Sequence, residues 1–124
     1  GEEGAPQVPA FTAPATPRVI AWPPPLSVQA RRATQRGDFE RAERLADRAA
    51  RQRGSEALEA VLVRAQIALA RNDLRGAEAL FREALVARPR NPEAQAGLFE
   101  VLQRQNRFAE ADALRLSTGL RPWR

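Results

Sequence analysis

The chain has 124 residues and a formal net charge of +5, from 20 basic and 15 acidic side chains. It contains no Cys, His, Met or Tyr, which excludes a thiol nucleophile, an imidazole base and a His/Cys metal site. No stretch approaches the roughly 18 apolar residues of a transmembrane helix, so we expect membrane contact only through another protein. Every basic residue is Arg and Ala is abundant. This composition favours a GC-rich, bacterial gene.

Residues 1–25 form a Pro/Ala/Thr-rich tail that holds seven of the ten prolines. Proline fixes φ and removes a backbone donor, so we expect this tail to be extended rather than helical. Val19, Ile20 and Trp22 form an apolar run there, and we predict that they contact a protein partner. Two alternatives remain open: a plain linker, or a segment that packs back with Trp22 covering the first helices.

From Leu26 onward the apolar residues recur at helical spacing, as at Leu58, Val61, Leu62 and Leu69. We predict six helices, at about 26–36, 39–53, 56–71, 74–87, 92–105 and 108–118.

Between the predicted helices lie residues suited to tight turns and helix ends. Left-handed backbone is expected at three positions, where Gly and Asn cost least: Gly37, Asn72 and Asn106. N-caps are expected at Asp38, Ser55, Asp73 and Asn91, and a C-terminal stop at Gly119.

Three segments resemble one another, 37–45, 72–80 and 106–114, and they follow each other at a nearly constant spacing. A fixed period of about 34 residues is typical of a helical repeat array. Residues 58–91 resemble a tetratricopeptide repeat, in which small residues lie where two helices cross and a proline ends the repeat. The matching residues are Ala65, Ala77, Phe81, Ala84 and Pro89.

The outer copies match less closely. The third keeps Leu98, Phe108 and Ala111, with Phe99 where a small residue is expected; the first keeps Gly37, Phe39, Ala42 and Ala49, with Arg31 near that position. The resemblance implies an all-α fold, a short α-solenoid of three helical hairpins at 26–119, between the extended Pro-rich tail and a short tail at 120–124. The alternative is an unrelated bundle of three hairpins.

The resemblance also implies that the first helix of each hairpin lines a groove. On this alignment the groove carries Arg31, Gln35, Leu62, Gln66, Leu69, Glu100, Gln103 and Arg104. An extended peptide could bind across Gln66, Glu100, Gln103 and Arg104, or the groove could be an unoccupied solvated face. The Lys/Asn set with which some family members hold a peptide's terminal carboxylate is absent.

Four arginines, Arg41, Arg44, Arg48 and Arg51, share one face of the second predicted helix. Glu40 and Asp47 precede two of them by four residues, the spacing of stabilising pairs, and no aromatic residue is interleaved for base stacking. A solvated, ion-paired face is favoured over a nucleic-acid surface, which remains the alternative.

Catalysis is not expected, because neither Glu78/Glu83 nor Glu110/Asp112 has a spacing that brings two carboxylates together on a helix. No cofactor and no small-molecule substrate are expected either. At the carboxyl end Leu114, Leu116 and Leu120 lead directly to Trp123. We expect either that this apolar edge is covered by a partner or that the given chain stops short of a capping helix.

These observations favour a non-enzymatic scaffold or structural subunit that binds protein partners in a multi-subunit complex. A Pro/Ala tail before such repeats looks like the spacer of a bacterial envelope assembly protein, and the chain begins at Gly1 rather than Met. We therefore expect a processed or excised chain in the periplasm or cell envelope, with the cytoplasm as the alternative.

Overall fold

A computed structural model describes residues 22–119 of the chain. This part is helical, with six α-helices: α1 (Leu26–Gln35), α2 (Phe39–Ala50), α3 (Ser55–Ala70), α4 (Leu74–Ala87), α5 (Pro92–Arg104) and α6 (Phe108–Thr118). All six predicted helices are present, although α2 ends three residues earlier than expected. No helix among these residues is long and apolar enough to cross a bilayer. The extended conformation predicted for residues 1–21 and the tail predicted at 120–124 lie outside the described residues.

Each pair of helices is joined into a hairpin by a left-handed residue. Gly37, Asn72 and Asn106 have φ angles of 81°, 61° and 62°, as predicted from their residue types. The residue after each turn is the N-cap of the next helix, and in two hairpins it is an aspartate whose side chain accepts a backbone amide hydrogen. Asp38 accepts from the amide of Arg41, and Asp73 from that of Gly76. These caps satisfy amides that have no partner within the helix.

The prediction that Ser55 is the N-cap of α3 was wrong. Ser55 is the first residue of the helix, and the N-cap is Gly54, which makes no side-chain hydrogen bond and has a φ of 73°. Because glycine adopts positive φ without a Cβ penalty, Gly54 makes the reversal between α2 and α3. Asn91 caps α5 as predicted, accepting from the Ala94 amide at 2.9 Å, and Gly119 ends α6 in the left-handed conformation.

The amino end of α1 is capped by a side chain from another helix. Its N-cap residue, Pro25, provides no side-chain acceptor. Glu56, in the first turn of α3, accepts instead from the Ser27 amide at 3.0 Å and from the Ser27 hydroxyl at 2.5 Å. Ser27 is buried, so this bond satisfies a buried donor and ties the first hairpin to the second.

Small side chains line the places where helices cross. Ala30, Ala65 and Ala77 are fully buried, and short side chains there let the helices approach closely. The small-residue position of the first hairpin is therefore Ala30, which lies one repeat before Ala65 and next to Arg31. In the third hairpin Phe99 is half-buried against the core.

The core has two parts. The larger is built from α3 to α6 around the fully buried Phe81, and the smaller joins the first hairpin to Val63 and Ile67 of α3. Because α3 contributes to both, the three hairpins stack into the short α-solenoid that the repeat predicted.

Candidate functional site: a polar groove along the first helices

The first helices of the three hairpins lie next to one another, with α1 against α3 and α3 against α5. Their side chains enclose an open cavity of about 430 Å³, which we call the groove. It is lined by Arg31, Thr34, Gln35, Val63, Gln66, Leu69, Ala70, Glu93, Glu100 and Arg104.

Arg31 of α1 is the centre of the polar contacts in the groove. Its Nη1 and Nη2 donate to the two carboxylate oxygens of Glu93 on α5, each at 2.8 Å. Nη2 also donates to Oε1 of Glu59 on α3 at 2.8 Å. One guanidinium therefore connects all three hairpins, with the two-pronged geometry for which arginine is suited.

The surroundings of Arg31 favour the charged form of its side chain. The hydrogen bonds from Arg31 to Glu93 raise the pKa of Arg31 above its ordinary value; partial burial opposes this and the bond to Glu59 adds to it. About a third of the Arg31 and Glu93 side chains remains exposed. The pair is thus neither deeply buried nor fully solvated, so it positions side chains at the base of the groove while remaining within reach of a ligand.

Gln66 and Glu100 occupy the positions equivalent to Arg31 in the second and third repeats, one and two repeat periods further along the chain. Gln66 Nε2 donates to Glu93 at 3.1 Å, and Arg104 donates to Glu100 at 2.5 Å within α5. The repeat therefore brings three polar side chains of different character into one row. Such a row can hydrogen-bond the backbone or polar side chains of an extended segment.

The structure brings together most of the residues predicted for the groove: Arg31, Gln35, Gln66, Leu69, Glu100 and Arg104. Leu62 is an exception, because its side chain is buried in the core. Gln103 is exposed but does not line the cavity.

Sequence reasoning missed Glu93, the acceptor of three hydrogen bonds in the groove. Its place near the amino end of α5 indicates only an acid that favours the helix dipole. The sequence nevertheless contains a signal that could have placed Glu93 in the groove: Glu59 and Glu93 lie one repeat period apart. Equivalent positions in adjacent repeats face the same side of the stack.

Of the residues predicted to contact a partner outside the groove, only Trp22 is described. Its side chain is 83% exposed, which disagrees with the alternative in which it covers the first hairpin. Val19, Ile20 and Trp123 lie outside the described residues. At the other end of the stack Phe108 and Leu116 of α6 are 56% and 71% exposed.

The ion pairs predicted within α2 do not form. Asp47 bonds Arg64 of α3 rather than Arg51, and Glu40 does not pair with Arg44. Glu43, the remaining acid of α2, accepts from Arg71 at 2.7 Å. Glu43 and Asp47 therefore link α2 to the second hairpin, and do not neutralise the arginines of their own helix.

Comparison with known proteins agrees with this architecture. The family model described as "Tetratricopeptide repeat" matches residues 28–92 and, overlapping them, residues 62–122. No curated protein and no solved structure gives a significant match. The matched segments cover most of the chain and contain all three hairpins except the first two residues of α1, so the chain belongs to the tetratricopeptide-repeat family.

Proposed function

We propose that this protein is a non-catalytic binding module that holds an extended segment of a protein partner in the groove. Repeats of this family generally mediate protein–protein interaction. The observation that carries the proposal is the row formed by Arg31, Gln66 and Glu100, which lies along a cavity of about 430 Å³. These groups are already positioned by hydrogen bonds, and this reduces the entropy lost on binding.

The proposed role is that of a subunit in a larger assembly in the periplasm or cell envelope. Two features support a second contact with the assembly. Residues 1–22 are proline-rich and carry the apolar Val19, Ile20 and Trp22, and a proline-rich segment can bind a neighbouring protein at low entropic cost. Trp123 at the other end would contribute to the same assembly.

Arg104 provides the test of groove binding. Arg104→Glu reverses a charge at the edge of the groove and places it beside Glu100. We expect cross-linking mass spectrometry to lose partner peptides linked to the groove, while circular dichroism stays unchanged. The matched control is Arg82→Glu on α4, which breaks a similar pair with Glu78 four residues earlier.

If both variants retain the groove cross-links, the partner does not bind in the groove. If both lose them, the effect is one of overall charge or folding. Only selective loss in Arg104→Glu supports the proposal.

A further inference from the structure

The positive charge of this protein is concentrated in its first hairpin. Residues 26–53 contain eight arginines and four acidic residues, a balance of +4. Residues 54–119 contain nine of each and are neutral. The charge of the whole chain is therefore mostly a property of one end of the stack.

On that end, arginines from two helices surround one cleft. Arg32 of α1, Arg36 directly after α1 and Arg41 of α2 line a cavity of about 290 Å³ together with Gln29 and Trp22. Arg48 lines the adjacent cleft, which also contains Gln29. We call Arg32, Arg36, Arg41 and Arg48 the arginine face; all four are exposed. None of them lines the groove, so the two surfaces are separate.

The arginine face forms no ion pair among the described residues. Within residues 22–119, none of its four arginines has a carboxylate at ion-pair distance, whereas seven other arginines do: Arg31, Arg64, Arg71, Arg82, Arg104, Arg107 and Arg115. Two of the three acids on α2 pair elsewhere: Asp47 with Arg64 of α3, and Glu43 with Arg71 just after α3.

The position of the arginine face at the end of the stack explains why the face is polar, but not why its charge is positive. Arg32 is one repeat before Ile67, which is buried against the first hairpin. Among the described residues no helix precedes α1 to cover Arg32, and the end of a solenoid needs a polar surface. Glutamine, serine or glutamate would meet that need equally well. A cluster of one sign beside an exposed tryptophan indicates a partner of the opposite sign.

We propose that the arginine face binds an acidic segment of a protein partner, whose carboxylates contact Arg32, Arg36 and Arg41 and whose apolar side chain packs on Trp22. Arginine pairs with carboxylates through two parallel hydrogen bonds, and a tryptophan beside them provides an apolar anchor. Asp38 and Glu40 are exposed close to Arg41. They would repel an evenly charged phosphate chain, whereas a peptide can place uncharged residues beside these two acids and its carboxylates beside the arginines. The surface does not involve the groove, so the proposal is independent of groove binding.

Fluorescence of Trp22 gives a direct test. The chain has two tryptophans, so Trp123→Phe leaves Trp22 as the only reporter. In this background a synthetic Glu/Asp-rich dodecapeptide is titrated, alongside the same peptide with Gln and Asn in place of the acids. We expect saturable binding of the acidic peptide that weakens with salt, and no binding of the amide peptide.

Charge reversal then locates the site. Arg32→Glu, Arg36→Glu and Arg41→Glu together should weaken acidic-peptide binding on the order of tenfold or more, the effect of about 1.4 kcal/mol. The control reverses three exposed arginines elsewhere, Arg75, Arg88 and Arg90, and changes the net charge equally. It should retain binding, because distant charges are screened by salt.

Four outcomes would overturn the proposal. They are no binding of the acidic peptide, equal binding of the amide peptide, equal losses in the two triple variants, and tighter binding of an oligothymidine of matched charge than of the peptide. The last would identify the face as a nucleic-acid surface.

Discussion

Gly97 of α5 lies directly against the ring of Phe81 in α4. A Cβ atom added at Gly97 would lie 2.2 Å from Cζ and 2.3 Å from Cε1 of that ring, much closer than carbon atoms can approach. Phe81 is fully buried at the centre of the larger core. The ring therefore fits because the facing position has no side chain.

We predict that Gly97→Ala destabilises the protein despite alanine's higher helix propensity. Overpacking costs about 1–3 kcal/mol, and the propensity gain is at most about 1 kcal/mol. The net loss should be about 1–2 kcal/mol in urea unfolding. Phe81→Leu should partly relieve the clash, so the double variant should lose less than the two single losses combined. Strict additivity would mean that the two residues do not touch.

Ala77 of α4 provides a second test of packing at a helix crossing. It is fully buried in the same core cluster as Ala65. Ala77→Leu should overpack the crossing and cost about 1–3 kcal/mol, measured by urea unfolding. Ala79→Leu, at an exposed position of the same helix, should change stability by less than about 0.5 kcal/mol. An unchanged free energy of unfolding for Ala77→Leu would contradict the repeat alignment.

The sequence predicts the local features of this fold well because they depend on nearby residues. Left-handed backbone at Gly37 and Asn72 follows from the residue types that tolerate it, and the cap at Asp73 follows from its side chain. The exception, Ser55, failed because Gly54 makes the reversal one residue earlier. A cap position depends on backbone geometry that a preference for serine does not determine.

Contacts between repeats were less predictable. The Arg31 and Gln66 positions in the groove follow from the repeat period, but the partner that joins them, Glu93, comes from another helix. The pairing of Asp47 with Arg64 likewise replaced a pair expected within α2. Helical spacing identifies neighbours on one helix, whereas long arginine side chains also choose among acids on adjacent helices. The space for Phe81 at Gly97 was missed because it too depends on a contact between two different helices.

The Arg31 network should contribute measurably to the stability of the stack. Arg31→Met removes three hydrogen bonds at 2.8 Å and leaves Glu59 and Glu93 without the guanidinium. We expect a loss of about 1–2 kcal/mol, because the carboxylates are only partly exposed. Arg32→Met, on the same helix but exposed and without an ion pair among the described residues, should have little effect.

Lysine should not restore the Arg31 contacts. An ammonium is a point charge and cannot donate to both oxygens of Glu93 and to Glu59 with the same geometry. Arg31→Lys should therefore be closer to Arg31→Met than to the wild type in urea unfolding. If Lys recovers full stability, only the charge at this position matters, and the two-pronged geometry does not.

Glu78 should make stability depend on pH in the acid range. Arg107 donates to it at 2.7 Å and Arg82 at 3.0 Å, and these bonds, that from Arg107 first, lower the pKa of Glu78. A carboxyl whose pKa is lower in the folded state stabilises the protein above its unfolded value of about 4.3. That contribution is lost as the pH falls through the folded pKa.

The expected result is a stability difference between wild type and Glu78→Gln that is present at pH 7 and shrinks below about pH 4.3. Urea unfolding is the suitable measurement, because an ionic denaturant would screen the pair. Glu83→Gln, on the same helix and exposed, is the control and should differ little from wild type at either pH. A difference for Glu78→Gln that stays constant down to about pH 2 would contradict the ion pair.

The last prediction concerns residues 1–22. Trp22 is 83% exposed and the first helix begins at Leu26, so we expect that deleting residues 1–22 leaves the repeats intact. The melting temperature should fall by less than about 4 °C, the smallest shift that 1 kcal/mol causes in a domain of this size. Cross-links between the partner and this segment's side of the first hairpin should disappear, because Val19, Ile20 and Trp22 are the proposed contacts.

Trp22→Ala in the full chain separates the anchor from the rest of the segment, and it should weaken partner binding with no change in melting temperature. If the shortened chain instead melts much earlier and still binds the partner, the segment is a cap on the repeats and not a docking arm.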